Sequence, residues 1–159
     1  MPVVTRVAVA SDAAVIARLN REVQRLHARL EPTFFNDNAD DEVIEAFFST
    51  KISRSEGHFV LASIANDEVG YVWFDVQVRP ATPSTFPRTR IYVHHLSVRE
   101  GSRRQGVASV LLRHVEEHAL ALDVKDIALD AWTANSSALS FFAARGFTPF
   151  NVSLRRKLP

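Results

Sequence analysis

The sequence predicts one α/β domain built on a mixed sheet, and three observations carry that expectation. Hydrophobic periodicity switches along the chain between about two and about 3.6 residues, so strands alternate with helices. The elements follow one another in the order β-α-α-β-β-β-α-β-α-β, which places helices on both sides of a sheet. The 159 residues, 47% apolar and 23% charged, suit a single well-filled core spanning 1–159, and no repeat, linker or low-complexity tract divides them.

Val3 to Val9 reads as the first strand. Ser11 stands where a helix cap belongs, and Val15, Ile16, Leu19, Val23, Leu26 and Leu30 then follow helical spacing as far as Pro32. Thr33 to Asp41 is an acidic loop. A second helix starts near Asp40 and is expected to bury Val43, Ile44, Phe47 and Phe48. His58 to Ala65 and Val69 to Val78 form a hairpin around the Asn66-Asp67 turn. Alternation in the second of these strands puts Val72, Phe74, Val76 and Val78 on one face and Tyr71, Trp73, Asp75 and Gln77 on the other. Pro80, Pro83 and Pro87 make a surface loop. A strand over 90–98 and a helix from about Gly106 to Leu122 follow, the helix turning Val107, Val110, Leu111 and Val115 inward. Ile127 to Trp132 is a short strand, Ser136 caps a helix running to about Arg145, Gly146 ends it, and Phe147 to Leu154 alternates as a last strand.

Composition narrows the partners. A formal net charge of +1 gives no global field for nucleic acid or an anionic membrane, and the basic residues Arg103, Arg104, Arg113, Arg155, Arg156 and Lys157 are scattered. The absence of cysteine removes disulfides, thiolate nucleophiles and cysteine metal sites, and fits a reducing compartment. Met1-Pro2-Val3-Val4 has no basic-then-apolar leader and no apolar run approaches the ~20 residues of a membrane span. The expected location is the cytoplasm.

Residues 90–108 carry the chemistry. A β-branched, apolar-rich run flows into a basic loop with glycines, and an amphipathic helix follows at once. Such an order builds an anion site: Gly106 lets backbone approach a ligand, the N–H groups of the new helix point at negative charge, and Arg103 and Arg104 add positive charge. Neither a P-loop nor a dinucleotide fingerprint is present. The run Arg103-Arg104-Gln105-Gly106-Val107-Ala108 resembles the pyrophosphate loop of the GNAT superfamily of acetyl-CoA-dependent N-acetyltransferases, Gln/Arg-x-x-Gly-x-Gly/Ala. About thirty residues later, Asn135-Ser136-Ser137-Ala138 leads through Phe141-Phe142 to Gly146-Phe147, similar to that family's Asn-x-x-Ala, aromatic pair and Gly-Phe.

The resemblance implies a twisted, mostly antiparallel sheet flanked by helices and splayed between strands 90–98 and 126–132, with acetyl-CoA in the splay. The backbone of Leu96, Ser97 and Val98 would pair with the pantetheine arm. The N–H groups from Arg104 through Gln105, Gly106, Val107, Ala108 and Ser109 would hold the pyrophosphate beside Arg103, and Asn135 would contact the cofactor. Many members carry a tyrosine, the general acid, where this chain has Phe142, which has no proton to give. A non-catalytic acyl-CoA-binding module therefore stands as the alternative to acetyl transfer. Homodimers are common among look-alikes.

Acetyl transfer to a primary amine needs a base, a polarised carbonyl and a proton for the thiolate. The resemblance implies that the Val98 N–H would polarise the carbonyl. His94 and His95 are the candidate bases, since histidine titrates near neutrality. Alternation puts Tyr92, His94 and Leu96 on one face and Val93, His95 and Ser97 on the other, so only one histidine faces the acceptor; His94 is favoured, with Tyr92 as a candidate proton donor. The pair points to opposite faces and lacks a matching ligand spacing, so no metal site is expected, and His114 and His118 read as helix histidines. His27, Glu31 and Phe34 lie where related proteins build the acceptor wall. Asp75, with Asp37, Asp40, Asp41 and Glu42, offers negative charge that would suit a cationic amine.

Overall fold

A computed structural model describes residues 1–159. Five strands lie in the spatial order β1 (Val3–Val7), β2 (His58–Ile64), β3 (Asp67–Arg79), β4 (Arg88–Val98) and β5 (Ile127–Leu129). The first four pair antiparallel and β5 joins β4 in parallel. Four α-helices accompany them: α1 (Ala13–Leu30), α2 (Asp41–Ser53), α3 (Val107–Ala121) and α4 (Ser136–Ala144).

The period-two pattern of the sheet divides the core in two. On one face Val60, Val72, Phe74, Ile91 and Val93 pack against Leu111 and Val115 of α3. On the other, Phe59, Leu61, Tyr71 and Trp73 meet Ile16 and Leu19 of α1 and Phe48 of α2. Gly70 sets how near α3 approaches the end of β4. A Cβ there would stand 2.7 Å from the Ser97 carbonyl oxygen and 3.1 Å from Val107.

Several sequence expectations are corrected. The first strand stops at Val7, and α1 begins at Ala13 rather than after Ser11. Asp12 ends an intervening 3₁₀ turn, accepting the Val9 N–H at 2.8 Å and both guanidinium nitrogens of Arg6 at 2.7 and 2.8 Å. The cap of α4 is Asn135, not Ser136: its Oδ1 accepts the Ala138 N–H at 3.2 Å. In α2 only Phe48 is buried, while Val43 and Phe47 are exposed, and so is Val78 at the uncovered end of the β3–β4 ribbon. The fifth strand ends at Leu129, short of Trp132. Residues 147–154 form no strand; Phe150 and Leu154 are 83% and 90% exposed. Alternation there supplies a pleated pattern, but a strand also needs a partner edge, and none engages this segment.

The largest correction lies in β4. Trp73 pairs with His95 and Phe74 with Val93, so His94 is the extra residue of a β-bulge. The bulge shifts the alternation by one. Ile91 and Val93 enter the α3 core, whereas His94 and His95 both turn to the Trp73 face. The two histidines expected on opposite faces therefore share one.

Candidate active site

β5 pairs with Ile91, Tyr92 and Val93 and goes no further, which leaves the edge of β4 bare from His94 to Val98. The Arg99 N–H donates to Val69 on β3 at 2.8 Å. Backbone groups alternate in direction along a strand, so the N–H groups of Leu96 and Val98 point the opposite way, into the gap. Arg103 closes the end of this edge, donating from Nε to the Val98 carbonyl at 3.2 Å.

The chain then turns through left-handed conformations at Arg104 (φ 62°) and Gly106 (φ 83°). A Cβ on Gly106 would meet nothing within 4 Å, so the backbone is open on that side. The first α-helical bond of α3 runs from the Val110 N–H to the Gly106 carbonyl at 3.0 Å. The N–H groups of Val107, Ala108 and Ser109 consequently have no helical acceptor and face outward with the positive end of the helix dipole. Side chains contribute less than the residue types suggested. Val107 is in the core, Gln105 donates to the Gly101 carbonyl at 3.2 Å, and Ser109 Oγ accepts from Arg145. Arg104 is exposed. Two cations escaped sequence reading: Arg25 and Arg29 of α1 line a cavity of about 160 Å³ with Glu22, Leu26, Glu100 and Arg103. Their helical spacing with Glu22 and Leu26 was the available signal.

The histidines form the second part of the site. The His94 ring stacks on Trp73 with centroids 4.4 Å apart and meets Tyr92 edge-on at 5.0 Å. Its Nε2 is 2.9 Å from Asp75 Oδ2, a close approach that is poorly aligned for a hydrogen bond. Asp75 thus stands beside His94, and its Oδ1 has no partner. Tyr92 donates its hydroxyl proton to Asp130 Oδ2 at 2.5 Å. Burial first, then the Asp130 carboxylate, push the phenol up to about 12. His95 is packed more deeply, with Tyr71 Oη 2.9 Å from its Nδ1, and burial, then the neighbouring His94 and His27, lower its pKa to about 4. Ser97, beyond it, is buried and donates to the Leu19 carbonyl at 3.1 Å, so only its backbone belongs to the edge.

The third part is an aromatic wall. His27, half-buried and with its pKa lowered by that burial, meets Phe35 at 4.8 Å. Phe34 and Phe35 both pack on Trp132 at 5.0 Å, joining the turn after α1 to the chain after β5. An open cavity of about 430 Å³ lies along this turn, with Arg29, Phe34, Phe35 and Asp37 in its lining. Glu31 is held by Arg155 at 3.0 Å, and Asp41 pairs with Arg21. Trp132 and Asp130 were missed because their roles arise from elements far apart in sequence. Phe142 packs on Phe141 and Phe147 at 5.3 and 5.5 Å, and Asn135 spends its Oδ1 on capping α4.

A sheet that parts beside a helix start with free N–H groups is the GNAT architecture. The chain belongs to the acetyltransferase (GNAT) family, whose model matches residues 21–147. Acetyl-CoA is the cofactor of that family. The bare β4 edge, the open side of Gly106 and the three free N–H groups of α3 fit its pantetheine and pyrophosphate. Among solved structures, the tetramutant of the BH1408 protein from Bacillus halodurans superposes with a TM-score of 0.89 at 19% identity, over 98% of this chain and 99% of that one. A predicted acetyltransferase with acetyl-CoA from Clostridium acetobutylicum gives 0.71 at 18% identity, covering 98% and 96%. At these identities the likeness is one of fold. A curated relative, the N-acetyltransferase ECO1 of Eremothecium gossypii, is 26% identical over 102 residues, 64% of this chain; the chain spans 38% of that relative's length. No helix is long and apolar enough to cross a membrane.

Proposed function

We propose that the protein transfers the acetyl group of acetyl-CoA to a primary amine by direct attack, with His94 as the base. The observation that carries this reading is the bulge at His94. It sets the imidazole on the Trp73 face beside Asp75, at the point where β4 loses β5 as a partner. When bound, acetyl-CoA supplies an activated thioester carbonyl. The Val98 N–H, aimed into the gap, stabilises negative charge on the carbonyl oxygen. His94 takes the ammonium proton through Nδ1 while Asp75 holds Nε2, an alignment that tightens when the site fills. The aromatic wall of Phe34, Phe35 and Trp132 lines the approach of the amine, with His27 and Glu31 at its rim. Arg103 steadies the carbonyl end of the edge and Asn135 contributes from the start of α4.

Protonation of the departing thiolate is assigned to no side chain: Phe142 has no proton, and that of Tyr92 is committed to Asp130. The same feature favours a second reading, a non-catalytic acyl-CoA-binding module. Calorimetric titration with acetyl-CoA, beside dephospho-CoA and ATP, tests the cofactor shared by both readings. A CoA-release assay over an amine panel separates them. Turnover with any amine eliminates the binding module, and His94→Ala is expected to lower kcat/KM at least ~100-fold. Unchanged turnover in His94→Ala removes histidine from the mechanism, and a gain in Phe142→Tyr identifies the missing acid.

A further inference from the structure

We propose that Asn20 and Tyr71 lock His95 as a neutral imidazole with its proton on Nε2, making it a fixed hydrogen-bond donor to the acceptor while its neighbour His94 acts as base. The proposal deepens the acetyl-transfer reading and rests on it for the molecule that meets the donor.

The lock is a chain of three side chains from three elements. Asn20 of α1 donates from Nδ2 to Tyr71 Oη at 3.0 Å, and Tyr71 Oη lies 2.9 Å from His95 Nδ1. Tyr71 is fully buried and Asn20 is buried, so water does not answer for either. A phenol oxygen has one proton. With Asn20 already donating to that oxygen, the Tyr71 proton goes to His95 Nδ1, which must offer a lone pair; the ring proton then sits on Nε2. An imidazolium would bring two donors to Tyr71 Oη and strand the phenol proton in the core, a buried polar group without a partner.

The surroundings agree. His95 faces Tyr71 and Trp73 of β3, Phe48 of α2, His27 of α1 and His94 of its own strand, with no carboxylate among them. Asp75 lies against His94. Nε2 of His95 has no partner in the chain, yet it is not among the sealed, unpartnered atoms.

The adjacent rings thus share the Nε2–H tautomer but leave different nitrogens free. His95, with Nδ1 held by Tyr71, leaves Nε2 as an N–H; His94, once the 2.9 Å approach of its Nε2 to Asp75 aligns as the site fills, leaves Nδ1 as a lone pair. The bulge places both on the Trp73 face, so one ligand meets an acceptor and a donor together. A neutral imidazole N–H is too weak an acid to release its proton here, so His95 orients the acceptor and leaves proton removal to His94. Asn20 and Tyr71 are positioning residues that act through it.

Nitrogen-15 NMR of the histidine rings in the full chain tests the lock, with the His95 signals assigned from their loss in His95→Gln. Expected is a proton-bearing Nε2 and a lone-pair Nδ1, unchanged from pH 8 down to about 5. A proton on Nδ1, or an ordinary histidine titration, overturns the proposal from the wild-type spectrum alone. Tyr71→Phe, if it folds, is expected to mix the two tautomers; one fixed Nε2–H tautomer persisting in that variant overturns the role of Tyr71. In the amine assay His95→Met is expected to raise KM for the amine about tenfold, with acetyl-CoA binding intact, and His95→Gln, which keeps a donor, to restore most of that loss. An unchanged KM in His95→Met overturns the donor role. If no amine is acetylated while the tautomer is as expected, the acetyl-transfer reading and the acceptor contact fall and the lock stands.

Discussion

The body from β1 through α3 and the segment from β5 onward are held by different means. No residue after Val124 is buried, and α4 contributes none to either core. The body is fastened by two apolar clusters on the faces of one sheet. The later segment is fastened by a three-residue parallel pairing and, beyond the half-buried Ile127 and Leu129 packed against one of those clusters, by single side-chain contacts: Asp130 with Tyr92, Trp132 with Phe34 and Phe35, Arg145 with Ser109, and Arg155 with Glu31. Every one of those side-chain contacts lands on the candidate site. The site therefore occupies a seam between a well-packed half and a lightly packed one, which is where a protein opens most readily to admit a ligand.

The comparison breaks most directly at Leu111 and Leu139. Leu111→Ala empties a fully buried position on α3 and is expected to lower unfolding free energy by about 2–5 kcal/mol in urea titration. Leu139→Ala in α4, at a 40% exposed position, is expected to change it by less than about 1 kcal/mol. Equal losses would mean that the two halves are one cooperative core. Gly70→Ala tests the body where α3 meets the sheet; the clash with the Ser97 carbonyl predicts a loss of about 1–3 kcal/mol in the same measurement.

A smaller effect follows from His95. Its folded pKa, about 4, lies below the ordinary 6.5, so between those values the unfolded chain binds the extra proton and the folded one does not. Stability is expected to rise with pH across that window, with up to about 1.4 kcal/mol per pH unit from this group, and to lose that slope in His95→Gln. A slope unchanged by the substitution would place the acid sensitivity elsewhere. The smallest effect concerns the seam. Arg145→Ala is expected to shift global stability by less than about 1 kcal/mol while speeding amide exchange in α4 and leaving α3 protected. Protection that falls equally in both helices would argue against separate halves.

Much of this was legible in the sequence. The switch of hydrophobic period located the helices and strands of the body, and the Arg-x-x-Gly-x-Ala loop announced a helix start with free N–H groups. The failures have a common cause. Residues 147–154 alternate as a strand should, yet alternation states only what a strand would bury. Val43 and Phe47 follow helical spacing toward a core that does not reach them. The histidine pair was read by strict alternation, which a bulge cancels without any sign in residue type.

Sequence alone determined the α/β class, the order of the body's elements and the open helix start after the 103–106 loop, because periodicity, glycine conformation and helix-end N–H groups are local properties. Only the tertiary structure decided that His94 and His95 share a face, that Asp75 lies beside His94, and that Tyr71, bonded to Asn20, reaches His95. Those outcomes depend on the register between β3 and β4 and on the seating of α1, relations between groups up to 75 positions apart (from Asn20 to His95) that no local pattern encodes.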